Sequence, residues 1–291
     1  MGKKEAVFIL LGQSNAVGHN LPMREKDIIK TPLKNVYGLT REKNQSFDND
    51  KLIWSGYTSF GMNLAEEQDN TYSIANCLAK LWQNHIDNGN EYNLPNLYIV
   101  QIAIGAQGVS EGYMWNPAKE KQLIPGKLGV VDISLFSFSK HIFEMIDDSF
   151  TGMGKDYEII GLHWRGGEND ITATPEYLLK NLKNIYVEMF DEFSRILKNP
   201  PIVLHKIVSY DRANDLDATG VYSKNIDVIN NVFQELENKY KNVSIFDVRK
   251  FPNYIPNVRC NDLFIQDAVH FTEEVNYWIA KSILKNETNR F

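Results

Sequence analysis

Five short apolar runs rich in β-branched residues recur along the chain, at Val7–Leu11, Leu97–Ile104, Glu158–His163, Ile202–Val208 and Val243–Phe246. Runs of this length without strict polar alternation are the pattern of strands buried on both faces. Between them the apolar positions recur at helical spacing. Ser73–His85 puts Ile74, Leu78, Leu81 and Trp82 on one face, and Ile133–Ile146 does the same with Leu135, Phe138, Ile142 and Ile146. Pro175–Ile196, Tyr222–Lys239 and Glu273–Leu284 complete the helices. Thr174 ahead of Pro175, and Thr272 ahead of Glu273 and Glu274, are helix-start signals: a side-chain cap, a proline that needs no N–H donor, and acidic groups at the positive end of the dipole.

Alternation of strand and helix predicts an α/β fold, a flavodoxin-like three-layer α/β/α sandwich with a five-stranded, mainly parallel sheet. The pattern shows no internal repeat and no boundary, so residues 1–291 are expected to form a single domain. The two longest irregular stretches, near 20–70 and 106–131, leave the carboxyl ends of the first two strands and should rim any site there. The first apolar run is too short for a signal-peptide core and leads straight into a turn, so it reads as a strand. The expectation is a soluble chain, cytoplasmic as read, exported with its leader removed, or phage-associated.

Composition narrows the function. The 291 residues are 43% hydrophobic and 23% charged, an ordinary globular balance, and the net charge of −6 comes without long runs. That distribution lacks the basic footprint of a nucleic-acid binder and the pull toward anionic membranes. Cys77 falls inside a helical pattern and reads as a small buried hydrophobe, while Cys260 falls in an irregular segment. Two cysteines make no disulfide framework, and no Cys/His spacing suggests zinc; neither metal nor cofactor is expected. No phosphate loop follows the first strand, which argues against a nucleotide binder.

The candidate chemistry collects at strand ends. Gly12-Gln13-Ser14-Asn15 follows the first strand, Gly105-Ala106-Gln107-Gly108 the second, and Arg165-Gly166-Gly167-Glu168-Asn169-Asp170 the third; Asp267 and His270 lie just before the last helix. Each alone is ordinary. Ser14 fits a turn or helix cap, His270 a capping or packing role, Asp267 a surface turn, and Asn169 a cap. Together, in this order at one sheet edge, they form the constellation of a serine hydrolase. A serine hydroxyl needs a base to take its proton, and an imidazole titrates near neutrality. An aspartate on the far ring nitrogen fixes the tautomer. Ser14, His270 and Asp267 take those roles.

The pattern resembles the SGNH hydrolase superfamily, within it the sialate O-acetylesterase-like and carbohydrate esterase family 6 branch. Gly12-Gln13-Ser14-Asn15 matches its first block, Gly105 to Gly108 with Trp115 matches its second loosely, Trp164, Gly167, Glu168 and Asp170 match its third, and Asp267 and His270 match its last. The chain departs from the branch at Gly166, where relatives carry a glutamine of the oxyanion hole. Gly167-Glu168-Asn169-Asp170 instead fits the wider superfamily's Gly-x-Asn-Asp. The resemblance thus implies an oxyanion hole from Ser14, Asn169 and a backbone N–H of either Gly105 or Ala106. It implies a metal-independent esterase that removes acetyl groups from an acetylated carbohydrate through an acyl-enzyme at Ser14. The alternative is a non-catalytic carbohydrate-binding protein on the same scaffold. Candidate substrate contacts are Gln13, Trp115, Arg165 and Glu168. Trp115 fits either stacking on a sugar or packing in the core, Arg165 either an acidic substrate or a salt bridge, and Glu168 either a supporting structural role or an electrostatic one.

Overall fold

A computed structural model describes residues 4–41, 47–48, 51–118, 134–208, 221–252, 264–265 and 269–288. Its centre is β1 (Glu5–Gly12), buried at all eight positions. β6 (Leu97–Ala103) and β7 (Tyr157–Arg165) pair with it in parallel on either side. β8 (Ile202–His205) and β9 (Val243–Phe246) extend the β7 side, again parallel. The five expected strands are therefore present, but the sheet has seven. The additional two, β2 (Val36–Gly38) and β5 (Ser55–Gly56), come from the stretch expected to be irregular and close the β6 edge, β5 running antiparallel. Strands of three and two residues are too short to carry a periodicity, so only their pairing reveals them. β3 (Phe47–Asp48) and β4 (Lys51–Leu52) form a separate two-stranded ribbon.

Alternate β1 residues feed two cores. Val7, Ile9 and Leu11 meet α3 (Leu135–Glu144), α6 (Lys183–Ile196) and α7 (Val221–Lys239) through Leu135, Ile142, Tyr186, Phe190 and Phe233. Ala6, Phe8 and Leu10 meet α2 (Ile74–Asp87) and α8 (Glu273–Thr288) through Ile74, Leu78, Trp82, Val275 and Ile279. Cys77 is buried in that second core with a free thiol. This is the three-layer α/β/α sandwich expected from the chain. The expected helix over 133–146 stops at Glu144, and α4 (Ile146–Gly152) follows as a separate helix. The helix expected from Pro175 begins as α5 (Pro175–Tyr177), capped by Thr174 as expected, and passes through a π turn at Leu178–Leu182 before α6. No helix among the described residues is long and apolar enough to cross a membrane. Cys260 and residues 119–131 lie outside the described residues.

This topology makes the carboxyl end of β1 the meeting point. The chain builds one side of the sheet first and then the other, so the connections after β1 and β6 diverge there, the place where open α/β sheets take their ligands. Gly12 permits it. Its φ is +145°, and a Cβ would stand 1.9 Å from the Arg165 carbonyl oxygen.

Two histidines of the core are buried together: His163 Nδ1 and His205 Nε2 are 3.0 Å apart. Burial holds His163 down to about 3 and pushes His205 well below its ordinary value, the latter aided by its histidine neighbour. Both are neutral in the fold, whereas the unfolded chain takes up their protons below about pH 6.5. Stability from this pair is therefore complete above that value and declines as pH falls toward the folded values. Urea unfolding should show a loss of stability from about pH 6.5 to about pH 4.5 that becomes shallower in His205→Gln; an unaltered slope would contradict the assignment.

Candidate active site

Ser14 opens the short helix α1 (Ser14–Val17) directly after β1 and is 8% exposed. Its carbonyl accepts the N–H groups of Gly18 and His19, which closes the turn. The next residue, Asn15, is buried and reaches into the chain's final segment. Asn15 Nδ2 donates to the Val269 carbonyl at 3.1 Å, and Asn15 Oδ1 accepts the Phe271 N–H at 3.1 Å. Those residues flank His270. The backbone bearing the imidazole is therefore tied to the turn bearing the serine. The same segment pairs back on itself, with the His270 carbonyl accepting the Ile265 N–H and the rings of Phe264 and Phe271 stacked.

A buried charge pair supports the tie from below. Asn15 Nδ2 also donates to Glu168 Oε1 at 3.0 Å, and the same oxygen lies 2.9 Å from Arg165 Nη1. This contact is an ion pair whose Arg165 nitrogen is not aligned for a hydrogen bond. The Arg165 guanidinium stacks over the Phe271 ring at 4.2 Å. It is fully buried, and burial pulls its pKa down from the ordinary value against the opposing pull of Glu168.

The other strand ends are fastened similarly. Asp170, fully buried, accepts the N–H of Ser110 at 2.8 Å and of Val109 at 3.0 Å, joining the turn after β7 to the loop after β6. Burial raises its pKa above the usual carboxylate value, and the Ser110 side chain with the N–H groups of Ser110 and Val109 opposes that shift. Asn169 precedes it, and its Nδ2 is buried with no hydrogen-bond partner among the described residues. A Cβ at Gly166 would stand 2.9 Å from Trp164 Cζ2, so the indole fills the space a glutamine would need. Gly105 N–H is taken by Glu66 Oε2 at 2.7 Å, and Ala106 follows with φ +57°.

Ser14, the Gly105–Ala106 turn and Asn169 thus follow the carboxyl ends of β1, β6 and β7, and His270 stands between the two backbone partners of Asn15. Among the described residues Ser14 Oγ makes no hydrogen bond; the bonds of Asn15 tie the backbone on both sides of His270 to the serine turn. His270 Nδ1 lies 3.4 Å from Asn20 Nδ2. Asp267 lies outside the described residues.

The expected substrate contacts are corrected by burial. Trp115 is fully buried, donates its indole N–H to the Gly12 carbonyl at 3.0 Å and meets Trp164 edge to face. Of its two readings, core packing is the one realised. Arg165 is sealed against solvent by Phe271 and Glu168 and cannot meet an acidic substrate. Glu168, 3% exposed, serves that buried pair, and Gln13, 1% exposed, uses Oε1 to accept the Gly167 N–H at 3.3 Å. Sequence reasoning missed His19 and Glu66, which meet at the rim at 2.5 Å. Their separation in the chain hid the pair, although His19 follows closely on the serine turn. A cavity of about 430 Å³ beside α8, lined by Arg24, Phe251, Tyr277 and Trp278 among others, includes none of the rim residues.

No protein-family model matches the sequence, and no curated protein matches it. Solved structures match its fold. That of NanS superposes with a TM-score of 0.64 over 99% of this chain and 99% of that one, at 15% identity. A protein of Arabidopsis thaliana superposes with a TM-score of 0.59 over 98% of this chain and 99% of that one, at 16% identity. At these identities the likeness is one of fold.

The role of Asn15 can be tested directly. Asn15→Ala leaves the Phe271 N–H without its buried partner, removes one of the two partners of Glu168 Oε1 and is expected to destabilise the protein by about 1–3 kcal/mol. Denaturant unfolding measures it, and a change of only a few tenths would mean the final segment is held by something else.

Proposed function

We propose that the protein is a serine esterase that removes acetyl groups from a carbohydrate. The observation that carries the reading is the pair of Asn15 bonds to Val269 and Phe271, because it joins the backbone on both sides of His270 to the Ser14 turn. The order of the motifs along the chain supports the same assignment, and the acetyl and sugar parts rest on the resemblance of those motifs.

In this reading Ser14 Oγ attacks the ester carbonyl carbon while His270 takes the hydroxyl proton. Asp267 holds the far ring nitrogen and stabilises the imidazolium. The carbonyl oxygen becomes an oxyanion facing the Ser14 N–H, the N–H at the Gly105–Ala106 turn and Asn169 Nδ2. That amide is a buried donor without a partner, a group that costs free energy until an acceptor arrives. The intermediate collapses as the carbon–oxygen bond to the sugar breaks, and His270 returns the proton to the leaving alcohol. Water, deprotonated by His270, then attacks the acetyl-serine; the bond to Ser14 Oγ breaks, His270 returns the proton to that oxygen, and acetate leaves. Each step moves one proton through one imidazole.

Two substitutions test the reading. Ser14→Ala should abolish turnover of p-nitrophenyl acetate and acetate release from acetylated glycans while melting like the parent; retained turnover would remove Ser14 as nucleophile. Asn169→Ala should lower kcat by about 10²–10³ with little effect on KM, the loss typical of one oxyanion donor. An unchanged kcat would show that the amide has no part in the reaction.

A further inference from the structure

Glu66 is a carboxylate that the proposed chemistry leaves unused, yet it reaches over the turn after β6. Its Oε2 accepts the Gly105 N–H at 2.7 Å, and its Oε1 meets His19 Nε2 at 2.5 Å. The His19 ring is seated on Gly105, where an added Cβ would come within 2.2 Å of His19 Cε1. The same ring stands 5.9 Å from that of His270, centroid to centroid. One carboxylate thus bridges a backbone N–H of the turn and an imidazole beside the candidate base.

The segment that delivers Glu66 is firmly built. Asn63 bridges to Gln101 in parallel with β6, accepts the Ala103 N–H at 3.1 Å and donates to the Ala103 carbonyl at 2.9 Å. Arg41 donates from Nη1 to the carbonyls of Asn63 and Glu66 and from Nη2 to both oxygens of Asp69, each at 2.9 Å. Ala106 follows the hooked Gly105 in the left-handed region at φ +57°. A residue with a Cβ persists there only when its surroundings over-determine it, and such residues gather at active sites. The Glu66 bond to the preceding residue is a constraint of that kind. It also commits the Gly105 N–H, leaving the Ala106 N–H as the free donor of the pair among the described residues.

We propose that Glu66, with His19 seated on Gly105, is a positioning pair that holds this turn so that the Ala106 N–H, not that of Gly105, faces the oxyanion. The proposal rests on the esterase reading. It is tested by steady-state kinetics on p-nitrophenyl acetate, labelling of Ser14 by a serine-reactive phosphonate, and thermal melting. Glu66→Ala is expected to lower kcat about tenfold or more, short of the loss of a donor itself, with KM within about twofold. Glu66→Asp keeps the charge but loses the reach to Gly105, and should show the same fall while remaining folded should Glu66→Ala not fold. Glu66→Gln keeps an oxygen at the right reach and should restore kcat to within about threefold of the parent. A merely structural role would instead move melting temperature and leave no such ordering. Parent kcat in Glu66→Asp, or a Glu66→Gln as poor as Glu66→Ala, overturns the proposal while an active, labelled parent keeps the esterase reading. A parent that neither turns over nor labels removes both.

Discussion

A single buried amide joins three distant parts of this chain. Asn15 sits at the end of β1, bonds to Glu168 beyond β7, and holds the final segment through Val269 and Phe271. Inside a low-dielectric core such bonds are strong, and a partner left unpaired is costly, so the arrangement is held in one geometry. The Arg165–Glu168 pair beneath it serves the same end. Burying two charges costs about as much as their attraction returns, so the pair is weak evidence for stability as such. Its effect here is directional: it fixes the Glu168 oxygen that Asn15 bonds and the ring of Phe271 on which Arg165 stacks.

The rest of the rim follows one rule. The ends of β6 and β7 are fastened to neighbouring segments by side chains that capture backbone groups. Asp170 takes N–H groups of the loop after β6, Asn63 takes both polar groups of Ala103, and Glu66 takes the Gly105 N–H. Loops that carry chemistry need this support because the sheet ladder has ended beneath them. Carboxylates and amides are thus spent on geometry, while Asn169 Nδ2, a group assigned to chemistry, is left without a hydrogen bond among the described residues.

Much of this was legible in the chain. β1, β6, β7, β8 and β9 are long or apolar enough to declare themselves, and Thr174 and Pro175 mark their helix start correctly. β2 and β5 were not legible, since three- and two-residue strands owe their existence to pairing with β6 and with each other. Trp115 and Arg165 show the same limit at the site. An aromatic or a cation near a motif has two fates, and only burial against Trp164 or Phe271 selects between them.

The sequence by itself determined which residue types stand at which strand ends, because hydrophobic period and turn residues are local properties. Only the tertiary structure decided which of those residues face each other. Asn15 and Phe271 are 256 positions apart, and Gly105 and Glu66 are 39 apart, separations at which no periodicity specifies a partner. Those pairings arise when the parallel sheet brings its carboxyl ends together and buried polar groups must find one another in the absence of water.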